Sequence, residues 1–174
     1  MQHSVETALR DYSNGSDVEH QVQMGKFFAA MQKTVLARGN RIKGSEPRSL
    51  GACAKPNLPA PIVAHPPIAV ECSRPEGCLY CENYRIHADE IDVRKVISAR
   101  HCIRVTAQYA TSLEEHDRVF GQVLARIDEI LDEVRGFDSE LVMRVETQVD
   151  EEGLLDSFWS AKLDTLMVLG MELI

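Results

Sequence analysis

All seven prolines of this 174-residue chain fall between Pro47 and Pro75. Each proline lacks a backbone N–H donor and fixes its own φ angle, so no continuous helix can run through this stretch. The segment from about residue 38 to residue 86 is therefore predicted to be mostly loop. A loop of this length inside a compact domain usually needs something that orders it.

Four of the five cysteines lie within this segment, which points to a metal as the ordering element. Cys78 and Cys81 have the two-residue gap that lets two thiolates bind one ion from a tight turn, and Cys72 precedes them closely. Cys53 is the favoured fourth ligand and His87 is the alternative. Less favoured candidates are His65, His101 and Cys102.

Zinc is the metal that such a set of thiolates suits best, and four thiolates leave it no open position for catalysis. The predicted zinc is therefore structural and orders a loop that could not order itself. An odd number of cysteines in a chain expected to be cytoplasmic argues against a disulfide framework. The remaining alternative is that the cysteines are reduced and pack as small hydrophobic side chains.

Apolar residues at three- and four-residue steps predict helices on both sides of this insert. One helix is predicted from Ser16 to about Arg38. The others are predicted at 89–99, 112–135, 138–149 and from about 154 onward, while residues 100–110 fit either a strand or a helix. The last helix is expected to bury Phe158, Trp159 and Met167.

The predicted fold class is thus mainly α, with helical segments flanking a loop-rich, proline-rich, zinc-ordered insert. We expect three segments, residues 1–38, 39–88 and 89–174. No apolar run approaches the length of about 20 residues that a membrane span needs, so no membrane partner is expected. The six histidines show no ligand-spaced pair, which argues against an open catalytic metal site.

The net charge of −8 is distributed unevenly along the chain. Residues 1–111 carry 14 Lys and Arg against 11 Asp and Glu, whereas residues 112–174 carry 5 against 16. Phosphates would repel the acidic C-terminal third, so DNA contact is expected only in the basic stretch 33–55. The candidate DNA-binding residues are Lys33, Arg38, Arg41 and Lys43. The alternative is that this stretch is a solvated connector.

Near the N-terminus, "HSVETALRDY" at residues 3–12 resembles the last catalytic motif of the tyrosine recombinases, the phage-integrase family. In that family a His-Ser pair is followed by a threonine and then by the nucleophilic tyrosine. His3, Ser4, Thr7 and Tyr12 occupy the matching positions here. The string "RDYSNG" and the cysteine-rich segment are also similar to C-terminal parts of some mobile-element integrases.

By this resemblance, His3 would assist at the scissile phosphate and Tyr12 would form the phosphotyrosyl link to DNA. The family's arginines, lysine and earlier histidine would lie upstream of Met1. The resemblance therefore implies the C-terminal fragment of a larger enzyme for DNA recombination and integration, which is non-catalytic on its own. Its partners would be DNA within a full-length recombinase, the recombinase core or further copies of itself.

A second hypothesis is a standalone, zinc-stabilised helical adaptor that binds a protein partner. Its binding surfaces would be the acidic amphipathic helices at 112–135 and 154–171. The two hypotheses differ in the expected affinity for DNA, which only the first requires.

Overall fold

The computed structural model describes residues 36–37, 44–107, 109 and 112–169. Most of these residues belong to four helices, so the prediction of a mainly α fold is confirmed. The helices are α1 (Glu90–Ala107), α2 (Leu113–Arg135), α3 (Ser139–Asp150) and α4 (Ser157–Leu169).

The apolar spacing predicted α2 and α3 to within a residue or two. Asp138 caps α3, because its carboxylate accepts a hydrogen bond of 2.8 Å from the backbone N–H of Leu141. Helix α1 continues eight residues past the predicted end at residue 99. Cys102 and Ile103 are fully buried in this extension, so tertiary packing favours the helical alternative for residues 100–107.

Helix α1 is the central element and contacts α2, α3 and α4. Its buried residues Val93, Val96 and Ile97 pack in a core with apolar residues of the neighbouring helices. Arg100, also on α1, pairs with Asp128 of α2 at 3.3 Å and with Glu146 of α3 at 2.9 Å. The three helices are thus joined by an apolar core and by one buried guanidinium.

A small sheet lies beside the helices, and three of its four strands come from the proline-rich insert. Its strands are β1 (Leu36–Ala37), β2 (Glu46–Arg48), β3 (Gly51–Cys53) and β4 (Tyr84–His87), in the order β1-β4-β3-β2. β2, β3 and β4 pair antiparallel, and β1 runs parallel to β4 with Leu36 opposite Ile86. A 3₁₀ helix at Pro75–Tyr80 precedes β4.

Strand β1 overturns one predicted boundary. The helix predicted from Ser16 to about Arg38 cannot include Leu36 and Ala37, because both pair with β4. The predicted residues His3, Tyr12, Lys33, Arg38, Arg41 and Lys43 lie outside the described residues. Their roles stay predictions, and so do the three segments.

None of the helices in the described part of the chain is both long enough and apolar enough to cross a lipid bilayer.

Candidate metal centre

The 3₁₀ helix forms a tight knuckle that carries two of the predicted ligands. Pro75 occupies its first turn, where a missing N–H costs nothing. The N–H of Cys81 donates to the carbonyl of Cys78 at 3.1 Å and closes the turn. Cys78 and Cys81 are thereby held close together at the end of the insert, immediately before β4.

The sheet places Cys53 next to this knuckle. Cys53 ends β3 and lies opposite Tyr84, the first residue of β4. The N–H of Tyr84 in turn donates to the carbonyl of Cys81 at 3.1 Å. Strand pairing therefore brings together cysteines that are distant in sequence.

Gly77 allows the loop that carries Cys72 to approach the knuckle. A Cβ atom at this position would lie 2.4 Å from the carbonyl oxygen of Ala69, which is closer than any real contact. Only glycine is compatible with this close approach. Cys72 follows the same loop three residues after Ala69.

All four predicted cysteines line one cavity, together with the apolar residues Ala52, Leu58, Pro59, Val70 and Tyr84. The cavity volume is about 20 Å³. That volume is about the size of one water molecule, so the cavity suits a single small occupant. Cys81 is buried, Cys53 and Cys78 are half-buried, and Cys72 is exposed.

The cysteines are also close enough to interact electrostatically. Burial, reinforced by repulsion from Cys81, Cys53 and Cys72, raises the pKa of Cys78 to about 11, and Arg48 partly opposes this rise. The cysteine sulfurs are spaced more widely than those of a tetrahedral zinc site, in which neighbouring sulfurs lie about 3.8 Å apart. Among the described residues, no three cysteine sulfurs lie within 4.8 Å of one another. Metal binding would therefore require the sulfurs to move closer together, including those of Cys53, Cys78 and Cys81.

His87, the alternative fourth ligand, belongs to a different buried cluster. Its Nδ1 lies 2.6 Å from a carboxylate oxygen of Asp92, and its backbone N–H donates to the same oxygen at 3.1 Å. The other oxygen of Asp92 accepts from Nζ of Lys95 at 3.1 Å. His87 is absent from the lining of the cysteine cavity, so the geometry favours Cys53.

Ligand atoms of His87, Asp89 and Asp92 lie within 4.8 Å of one another and form the one such group among the described residues. Asp89 also caps α1, since it accepts from the N–H of Asp92 at 2.9 Å. The ammonium group of Lys95 already supplies a cation to Asp92. This cluster is consequently a helix cap joined to a buried ion pair, and it makes a poor second metal site.

Two buried side chains that the sequence analysis did not single out hold the knuckle against α2. The hydroxyl of Tyr80 donates to the carbonyl of Gln122 at 3.0 Å, and Nε of Arg126 donates to the carbonyl of Leu79 at 3.3 Å. Arg126 also pairs with Glu129 at 2.9 Å. Its position on the apolar stripe of α2, between Val123 and Ile130, was the signal that could have revealed it.

The less favoured ligand Cys102 is fully buried in the helical core, where its Sγ lies 3.5 Å from the carbonyl oxygen of Trp159. Burial raises the pKa of Cys102 to about 11. It belongs to the packing of α1 against α4 and is not among the cavity-lining cysteines.

Comparison with known proteins adds no relative: no family model, no curated protein and no solved structure matches this chain.

Proposed function

We propose that this chain binds one structural zinc ion through Cys53, Cys72, Cys78 and Cys81, and that the ion orders the proline-rich insert on the helical domain. The supporting observation is that these four cysteines line a single small cavity. Their four thiolates would fill the tetrahedral shell of the ion and exceed its positive charge. No position would remain for a reacting water, so the zinc supplies folding energy and no catalysis.

The proposed biological role is that of a C-terminal region of a tyrosine recombinase, which contributes to DNA integration without being catalytic alone. This part of the proposal rests on the resemblance of residues 3–12 and on the basic residues at 33–43. The zinc-ordered insert would then give a fixed shape to the chain that follows the recombinase motif. Helices α1 to α4 would serve contacts with the recombinase core or with another copy.

Metal content of the purified chain tests the zinc site directly. We expect about one zinc per wild-type chain and a large loss in Cys53→Ser and Cys81→Ser. Cys102→Ala is the matched control, because Cys102 lies outside the cavity, and it should keep its zinc. A wild-type chain without zinc would exclude the site, and full zinc in Cys53→Ser would exclude Cys53 as a ligand.

DNA binding tests the recombinase role. The isolated chain should bind DNA with an affinity that falls steeply with salt and depends on Lys33 and Lys43. It should form no covalent adduct between Tyr12 and DNA. The absence of any DNA affinity, or the presence of such an adduct, would contradict this role.

The second candidate is a helical adaptor for a protein partner, which the surface of α4 favours. Met167 is 54% exposed and Val168 is 86% exposed on this helix. Apolar side chains in such positions are available to a partner. Oligomerisation or partner binding that is insensitive to salt, with no affinity for DNA, would favour this role over the first.

A further inference from the structure

An open groove of about 610 Å³ runs between the insert and the helical domain. Its walls come from the β2–β3 turn, from the loop around Cys72, from α1 and from the start of α4. The volume falls within the range of about 300–1,000 Å³ that is typical of small-molecule sites. The residues that matter for its chemistry are Arg48, Ser73, Lys95, Asp156, Phe158 and Lys162.

Three cations from three separate segments converge on this groove. Lys95 of α1 is only 8% exposed. Its ammonium group donates to the carbonyl of Gly51 at 3.2 Å and to Asp92 at 3.1 Å. An ammonium group has three donors, so one donor remains for a ligand.

Arg48 and Lys162 also have N–H donors beyond those used in their ion pairs. Arg48 donates from one Nη to Glu46 at 3.1 Å, and a guanidinium offers five N–H groups in all. Lys162 donates to Glu76 at 2.9 Å and lies 5.1 Å from the centre of the Trp159 ring. The acids Glu46, Asp92 and Glu76 do not line the groove themselves.

One acid and one aromatic ring complete the groove. Asp156 is the one acid among its described lining residues, and its carboxylate accepts from the N–H of Phe158 at 3.0 Å. The Phe158 ring is 45% exposed although the sequence predicted it to be buried. It is held edge-on to Trp159, with 5.3 Å between the ring centres.

We propose that this groove binds a nucleotide, with its phosphate at Arg48, Lys95 and Lys162 and its base against Phe158. Each of the three cations is already paired with an acid, so the groove would hold a phosphate through their remaining N–H donors and not through a net positive charge. Guanidinium and ammonium groups supply charge-assisted hydrogen bonds to phosphate oxygens. An exposed aromatic face stacks on any base.

This inference does not rest on the recombinase role. None of the three cations is a predicted zinc ligand, but Cys72 and Cys78 also line the groove, so the zinc content of the chain is measured beside each titration. The nucleotide could be free or could be part of a single strand of nucleic acid. The shared chemistry is a phosphate next to an aromatic base, and the choice of probes separates the two sources.

Calorimetric titration of the full chain tests the proposal, with AMP, adenosine and a four-residue oligothymidylate as probes. We expect AMP to bind at least about ten-fold more tightly than adenosine, because the charge-assisted phosphate contacts are lost in adenosine. Tighter binding of the oligonucleotide than of AMP would assign the groove to nucleic acid if Lys162→Gln also weakens it, because the basic stretch 33–55 is a separate expected DNA contact. Equal or weaker binding would assign it to a free nucleotide, and both results support the groove.

Two variants test the assigned residues. Lys162→Gln should weaken AMP binding by about ten-fold through loss of a charged donor, and Phe158→Ala should weaken both AMP and adenosine. Arg144→Gln is the matched control, because Arg144 is exposed and does not line the groove. Thermal unfolding of each variant verifies that it is folded.

Three results would overturn the proposal. These are no binding of AMP or oligothymidylate, equal affinity for AMP and adenosine, or an effect of Arg144→Gln as large as that of Lys162→Gln.

Discussion

At the scale of single residues, the chain buries charge only where partners neutralise it. Asp92 is fully buried and accepts hydrogen bonds from His87 and Lys95. Burial acts to raise the pKa of Asp92, but the hydrogen bond from His87 and the charge of Lys95 outweigh it, and the pKa lies below its usual value of 3.8. The carboxylate therefore stays ionised in the core and joins β4 to α1.

Replacing Asp92 with asparagine should destabilise the chain by about 3 kcal/mol at pH 7, because Lys95 would be left buried without its counter-ion. A lowered pKa in the folded state means that the contribution of Asp92 is complete above the unfolded pKa of about 3.9. The contribution is lost as the pH falls through the folded pKa. Urea unfolding of wild type and Asp92→Asn should give a constant difference from pH 7 to pH 5 and a shrinking one below about pH 4.

The exposed Asp117 on α2 provides the matched control for this experiment. Asp117→Asn should change the free energy of unfolding by less than about 0.5 kcal/mol at every pH. A difference for Asp92→Asn that grows as the pH falls would contradict the assignment of a lowered pKa.

The sequence indicated the four cysteines as candidate zinc ligands because their chemistry and spacing are local signals. It could not reveal the partners of Asp92, since the pairing with His87 and Lys95 depends on the junction between β4 and α1. Arg126 was missed for a similar reason. Its guanidinium donates to the carbonyl of Leu79, and this contact depends on the packing of the insert against α2.

At the scale of elements, the docking of the knuckle on α2 links the proposed metal site to the helical core. Arg126 is 1% exposed and satisfies the carbonyl of Leu79, the residue directly after Cys78. Arg126→Met keeps the approximate shape and removes this donor. We expect a destabilisation of about 2 kcal/mol from the unsatisfied carbonyl and a lower zinc affinity in competition with a chelator.

Arg144→Met on α3 is the control for this prediction, because Arg144 is exposed and its ion pair with Glu90, at 3.4 Å, lies on the surface. It should change neither zinc affinity nor stability by more than about 0.5 kcal/mol. Unaltered zinc affinity in Arg126→Met would show that the knuckle keeps its shape without α2.

Helix α4 is anchored by one side of its first turn. Trp159 is fully buried and its indole N–H donates to the carbonyl of Ser49 at 2.7 Å, whereas the neighbouring Phe158 is partly exposed. Trp159→Leu should cost about 3 kcal/mol, since it leaves both a cavity and an unpaired carbonyl. Phe158→Leu should cost less than about 1 kcal/mol, and equal losses measured by urea unfolding would contradict this anchoring.

Helix α4 also shows where periodicity stops being informative. The sequence predicted that Phe158, Trp159 and Met167 all face the core, but only Trp159 is buried. Helix α4 is apolar around much of its circumference, so the pattern could not select one face. Helix α2 has a narrower apolar stripe, and its residues Val123, Ile127, Ile130 and Val134, which recur at three- and four-residue steps, are all buried.

At the scale of the whole molecule, the described chain combines two sources of order. The helices α1 to α3 share an apolar core that includes Val96, Ile127, Leu131 and Val145. The insert has only short strands and one 3₁₀ helix, joined by loops rich in proline. We therefore expect the helices to persist when the insert loosens, and we expect the insert to depend on its contacts and, under the proposal, on the metal.

Removal of zinc should accordingly loosen the insert and leave the helices folded. We expect a strong chelator to lower the temperature of unfolding and to expose residues 54–76 to protease, while far-UV circular dichroism retains most of its helical signal. Limited proteolysis with mass spectrometry, before and after chelation, measures which segments become accessible. Cys81→Ser should be cleaved in the same region without a chelator, whereas Cys102→Ala should gain no chelator-independent cleavage there. Protection of residues 54–76 that is equal with and without zinc would show that packing on α2 alone orders the insert.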